Sequence, residues 1–289
     1  MLNQQWDEKM TVKTRQVAFI TGGARGIGFE IAAKLAQAGF DIALNDYQDS
    51  ATLQASVARL EGWGVKAVAI PGDVADISLH DRMLARAENA LGPLTTFVNN
   101  AGVSVTSRGD LLDVTPESYD RCQAVNVRAT FFLCQAFARR LLARTCQPEL
   151  HYSLIVVSSS NASAASINRG EYCVSKAGAA MVAKLFAARL AQAGVQVFDI
   201  QPGLIVTEMT QPSLAMYQQR VDEGLTLLPE LGTPAQIGTI VTTLASGGMP
   251  YLTGQVISAD GGEGTVDALI NATAGQLIFA RLPGRWEGR

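Results

Sequence analysis

Tyr172-Cys173-Val174-Ser175-Lys176 sets a phenol and an ammonium four residues apart. On a helix that spacing puts both groups on one face. A free tyrosine, with a pKa about 10, is a poor base near neutrality. A lysine cation about 4–5 Å away stabilises the phenolate by roughly 3–4 kcal/mol at an effective dielectric near 20. The pair is therefore suited to move a proton on and off a hydroxyl or carbonyl oxygen. Upstream, Ser158-Ser159-Ser160-Asn161 offers hydroxyls for an oxygen on which charge develops. Asn126 lies inside a helical stretch, where its amide competes for backbone hydrogen bonds and needs a reason to be there. The two histidines, His80 and His151, sit in charged or polar surroundings without a partner at ligand spacing. Neither a histidine metal site nor a Ser-His-Asp triad is expected, and the chemistry above needs no metal.

A second group of residues is of the kind that holds a phosphate. Thr21-Gly22-Gly23-Ala24-Arg25-Gly26-Ile27-Gly28 follows the apolar run Val17-Ala18-Phe19-Ile20 and leads into Phe29-Glu30-Ile31-Ala32. Strand, tight turn and helix are implied, with glycines at 22, 26 and 28 for unusual torsions and close approach. The free N–H groups and positive dipole end of the helix would face a pyrophosphate. Asp46 ends the next strand, 18 positions after Gly28. A carboxylate there can accept both hydroxyls of an adenosine ribose and repels a 2′-phosphate, so NAD is expected over NADP.

These residues need elements to position them, and apolar runs supply strands at 17–20, 41–46, 65–70, 95–98, 153–157, 195–200 and near 255–258. Helical patterns fall between them at 51–62, 77–91, 116–145, 177–193 and 234–245. Such alternation predicts one doubly wound α/β domain over residues 15–264, with a parallel sheet of about seven strands and helices on both faces. Asp73-Val74, Asn100-Ala101-Gly102 and Pro202-Gly203 then stand at carboxyl ends of strands, where open parallel sheets bind ligands. Residues 208–232 read as an irregular mobile lid. Residues 1–14 read as a polar arm, and 265–289 as an extension too apolar at Ala268-Leu269-Ile270 and Leu277-Ile278-Phe279 to be a solvated tail.

A 289-residue chain with 48% hydrophobic and 17% charged residues can bury a full core. Its net charge of −3 leaves no basic footprint for nucleic acid, so a small-molecule partner is expected. No export signal or membrane span is legible, and Cys122, Cys134, Cys146 and Cys173 have no Cys-x-x-Cys spacing; a cytoplasmic protein with reduced thiols is expected.

Taken together, the motifs resemble the short-chain dehydrogenase/reductase family in its compact single-domain, Rossmann-type branch, over about residues 15–263. The glycine turn is similar to that family's cofactor fingerprint, and Asp73 to its adenine contact. Asn99-Asn100-Ala101-Gly102 resembles its element after the fourth strand, and Pro202-Gly203 with Ile205 and Thr207 its nicotinamide-side segment. Asn126, Ser159, Tyr172 and Lys176 match its catalytic four. Family spacing selects Ser159, 13 residues before the tyrosine, and a one-residue loop difference would select Ser158 or Ser160. The resemblance implies an NAD(P)-dependent oxidoreductase for alcohols and ketones, with Asn126 holding a water that links Lys176 to solvent, and a homotetramer or dimer. Arg25 occupies a position that in NADP-using relatives often holds the phosphate. Within the family the likeness runs to 3-oxoacyl-carrier-protein reductases, a label also carried by enzymes for sugars and polyols. The alternatives are a sugar or polyol dehydrogenase and a non-catalytic nucleotide sensor. A methyltransferase on a similar sheet would not need the Tyr172/Lys176 pair. Substrate choice falls to residues 208–232 and to the loops around Arg108 and Asn168-Arg169-Gly170-Glu171.

Overall fold

Strand β1 (Val17–Ile20) is buried along its whole length, as a strand covered on both faces must be. In the computed structural model, which describes residues 15–263, it lies near the middle of a seven-stranded sheet of order β3-β2-β1-β4-β5-β6-β7. All six pairings are parallel. The other strands are β2 (Asp41–Asp46), β3 (Ala67–Pro71), β4 (Thr96–Asn99), β5 (Ser153–Val157), β6 (Gln196–Pro202) and β7 (Gln255–Ala259). The sequence-predicted bounds of β3, β4 and β6 shift by one or two residues, because pairing carries each strand to the register of its neighbour. The order reverses between β1 and β4, which opens a crevice at their carboxyl ends.

Alternate strand residues feed two cores. On one face Phe19, Phe97, Leu154 and Val197 meet helices α3 (His80–Leu91), α5 (Thr130–Leu142) and α6 (Gly170–Leu190). On the other, Ile20, Leu44, Ile155 and Ile200 meet α1 (Gly26–Gln37), α2 (Ala51–Glu61) and α8 (Pro234–Ala245). Full burial of each such side chain is worth about 1.5–3 kcal/mol. Helix α8 starts at a capping box of Thr233 and Gln236 with Pro234 in the first turn. Gly238 lets it lie against α1, since a Cβ there would stand 2.7 Å from the Glu30 carbonyl oxygen.

Two expectations change, and one histidine gains a structural role. The region 116–145 is not one helix: α4 (Pro116–Gln123) passes through a π-helical stretch, Ala124–Ala129, into α5, and Asn126 sits inside that stretch. Residues 208–232 are not irregular throughout, because α7 (Leu214–Asp222) forms there and buries Tyr217 and Val221. His80 is buried despite its charged sequence neighbours, with Nε2 2.8 Å from the Val74 carbonyl oxygen. The 1–14 arm, residue 264 and the 265–289 extension lie outside the described residues. Among those described, no helix is long and apolar enough to cross a membrane.

Candidate active site

The crevice continues into a cavity of about 320 Å³. Its first wall is the glycine turn. Gly22 and Gly26 take φ of +63° and +55°, open to glycine and costly for other residues. Gly28 lets α1 press onto the turn, since a Cβ would lie 2.1 Å from the Gly22 carbonyl oxygen. Thr21 is buried beneath, its Oγ1 accepting from the amides of Asn100 (3.0 Å) and Ala101 (2.9 Å), and Asn100 Nδ2 donates to the carbonyls of Thr21 and Gly22. The ends of β1 and β4 are thus tied across the seam where the sheet order reverses.

Asp46 lines the same cavity. Its carboxylate is held by two backbone amides, Oδ2 accepting from Ala24 (3.0 Å) and Oδ1 from Tyr47 (2.7 Å). Arg25 does not pair with it. The guanidinium instead reaches Glu208, at 2.8 Å, with both side chains largely exposed. Asp73 and Val74 are not among the lining residues: Asp73 Oδ1 accepts from the Ala75 amide, and Val74 is buried under His80. A dinucleotide fits this half of the cavity on the chemistry of its lining, with a backbone bare of side chains at the helix start and a fixed carboxylate at the end of β2.

The other half is built on α6. Tyr172 and Lys176 face the cavity, with the Lys176 ammonium 5.7 Å from the centre of the Tyr172 ring. Lys176 is only 6% exposed, and its Nζ donates to the Val157 carbonyl at the end of β5. The three serines that follow β5 have different partners. Ser158 Oγ donates to Asp199, so its proton is committed, whereas Ser159 Oγ accepts from the Asn161 amide (3.1 Å) and keeps its own proton to give. Burial pushes the Asp199 carboxyl up, against the pull of its bonds from Ser158 and Gln201 and of the Lys176 charge.

Asn126 has a structural explanation. Its Oδ1 accepts from the Val103 amide (2.8 Å), and its Nδ2 donates to the Val103 carbonyl and to Ser175 Oγ, both at 2.9 Å. The π-helical stretch thereby clamps the loop after β4 to α6. Gly102 leaves a gap beside it, since a Cβ there would be 3.2 Å from both Asn126 Oδ1 and Lys176 Nζ. After β6, Gly203 passes close to Asp260, Ile205 bridges to Gly232, and the Thr207 hydroxyl is paired with that of Thr210. Pro202, Gly203, Ile205 and Thr207 all line the cavity.

Val103 and Ser104 line the cavity without having carried a motif in the sequence, and Met209 and Tyr217 stood there only as part of the 208–232 segment. Arg108 and Arg169 stood only in loops of unknown shape, and both line the cavity. Arg108 donates to the Tyr217 hydroxyl at 2.7 Å, and the Arg169 guanidinium lies 5.8 Å from the centre of the Tyr172 ring.

Comparison with known proteins agrees with this geometry. A family model described as enoyl-(acyl carrier protein) reductase matches residues 22–263. An L-rhamnose 1-dehydrogenase (NAD(P)(+)) from a Sphingomonas species is 30% identical over 248 residues, 86% of this chain and 95% of its own length. A 3-oxoacyl-[acyl-carrier-protein] reductase from Staphylococcus aureus is 30% identical, over 87% of this chain and 99% of its own. The crystal structure of a 3-oxoacyl-[acyl-carrier protein] reductase from Brucella melitensis in complex with NAD superposes with a TM-score of 0.84 at 36% identity, covering 88% of this chain and 98% of that one. On the family match, the relatives' identity and coverage and the superposition, the chain belongs to the short-chain dehydrogenase/reductase family of oxidoreductases acting on CH–OH and C=O groups.

Proposed function

We propose that the chain interconverts a secondary alcohol and a ketone with NAD(H), Tyr172 moving the proton. The observation that carries this reading is the buried Lys176 ammonium beside the Tyr172 ring, in a cavity that Ser159 also lines. When bound, the nicotinamide gives or takes the hydride. Tyr172 gives the proton to the substrate oxygen in reduction and removes it in oxidation, and Lys176 supports the phenolate. Ser159, whose proton is uncommitted, donates to that same oxygen as charge develops on it. Asn126 acts as a positioning residue through its clamp on Val103 and Ser175. The gap at Gly102 is the place for a water between Asn126 and Lys176.

Gly22, Arg25, Gly26, Ile27, Gly28, Asn100, Ala101 and Gly102 would hold the dinucleotide, with Thr21 as their brace, Asp46 at the ribose, and Pro202, Gly203, Ile205 and Thr207 on the nicotinamide side. Asp73 and Val74, which follow β3 outside the cavity lining, would meet the adenine end of the dinucleotide. The enzyme works in the cytoplasm as a homo-oligomer. The relatives' names divide between a sugar and acyl thioesters, so both substrate classes belong in the test. Alcohols with NAD and ketones with NADH, followed at the nicotinamide absorbance, should reveal turnover. Tyr172→Phe should lower it by at least ~100-fold while NADH binding survives. Undiminished turnover by Tyr172→Phe would falsify the proton-transfer role.

A further inference from the structure

The cavity contains an imbalance of charge that proton and hydride transfer do not use. Of its acidic lining residues, Asp46 is engaged by two amides and Glu208 by Arg25. Arg108 and Arg169 also line it, and neither has a carboxylate within 4.0 Å among the described residues. Among the described residues, Arg108 hydrogen-bonds the Tyr217 hydroxyl. Arg169 is half-buried, and its Nε is buried without a hydrogen-bond partner, which is costly for that N–H. Glu263 lies close enough for the Arg169 charge to act on it, yet outside ion-pair distance, and burial pushes its carboxyl toward the neutral form.

Arg169 also stands in a position that stability alone would not choose. It precedes the first turn of α6, where Ser, Thr, Asp or Asn would cap the helix, and it makes no capping bond. Its positive charge sits at the positive end of a 21-residue helix, whose first turn holds one acidic residue, Glu171, bonded to Ser118. A local rule broken beside a site is what a functional demand looks like. Both the helix end and the guanidinium would be relieved by an anion.

We infer that Arg169, with Arg108, binds an oxyanion of the substrate, a carboxylate or phosphate carried near the reacting carbon. The Arg169 guanidinium lies 5.8 Å from the Tyr172 ring centre, so the anion and the carbonyl are separated by only a few bonds. The inference rests on the proposed ketone/alcohol chemistry and narrows it from neutral alcohols to keto acids, hydroxy acids or their phosphate counterparts.

The test uses the full chain with NADH and compares pyruvate, acetoacetate and levulinate with their methyl esters, and dihydroxyacetone phosphate with dihydroxyacetone. Turnover is followed by absorbance and binding by calorimetry. The expected result is that at least one anion exceeds its neutral partner in kcat/KM by about 10- to 100-fold, the scale of a hydrogen bond to a charged group. The ratio should collapse toward one in Arg169→Gln and shrink in Arg108→Gln. Turnover of neutral ketones with no preference for anions overturns the inference and leaves the redox reading standing. Anion binding that is lost in Arg169→Gln, without any turnover, supports the inference and overturns the redox reading. Absence of anion binding in the wild type, or a ratio unmoved by Arg169→Gln, overturns the inference.

Discussion

Asp46 and Arg25 bear on cofactor choice from opposite sides, and their hydrogen bonds weigh the contest. The Asp46 carboxylate is fixed by two amides at the end of β2, on the cavity wall, while the Arg25 charge is matched by Glu208. NAD should therefore be preferred by at least ~10-fold in kcat/KM, about 1.4 kcal/mol at the transition state. Asp46→Ala should shrink the preference, and Asp46→Ala combined with Glu208→Gln should shrink it further by freeing Arg25 for a phosphate. Kinetics with both cofactors decide this, and a wild type faster with NADP would sink it. Among the three serines the same kind of reasoning applies. Spacing points to Ser159, and the donation of Ser158 to Asp199 supplies a chemical reason that no spacing contains.

Helix α3 begins at His80, whose ring braces the end of β3 through the Val74 carbonyl. Burial pulls the imidazole pKa below 6.5, although Asp76 and Asp81 favour the charged form, as does the Val74 bond; Arg128 opposes it. The unfolded chain takes up its proton near pH 6.5 and the folded chain only at lower pH. Stability from this group is thus complete above about 6.5 and is lost as pH falls through the folded value. The fall in melting temperature from pH 7.5 to 5.5 should be smaller in His80→Gln than in the wild type. Equal falls would count against the assignment. Elements of this kind were largely legible, because buried parallel strands are continuous apolar runs and β5 matched its predicted bounds. The π-helical stretch was not: Asn126 announced an irregularity, but only its bonds to Val103 and Ser175, remote in sequence, say which one. Helix α7 escaped because its pattern is weak and two buried residues, Tyr217 and Val221, hold it in place. The loop of Arg169 was legible as a determinant of substrate choice, but the unpartnered Nε was not, because no sequence displays a missing partner.

For the whole molecule, the proposed homo-oligomer has a surface to use. Val174, Met181 and Leu185 are 52%, 52% and 53% exposed on α6, spaced seven and four apart along one stripe. Apolar side chains aligned this way on the helix that carries Tyr172 and Lys176 suit a second copy of the chain. Light scattering should give a multiple of the 30.7 kDa chain mass, and Met181→Lys with Leu185→Lys should lower it. A monomeric wild type, or an unchanged mass in the variant, would refute the use of this stripe. The sheet order has a further consequence, for the newborn chain. Strands β3, β2 and β1 are complete by Pro71, but the second neighbour of β1 ends only at Asn99, and the bond from the Val17 amide to Thr95 spans 78 positions. Until the ribosome has released Asn99, β1 has one open side and the crevice has no second wall. The Thr21 hydroxyl, which will take the amides of Asn100 and Ala101, waits for a segment not yet made. A ligand of the crevice can steady the joining of the two halves of the sheet, but not the making of the first.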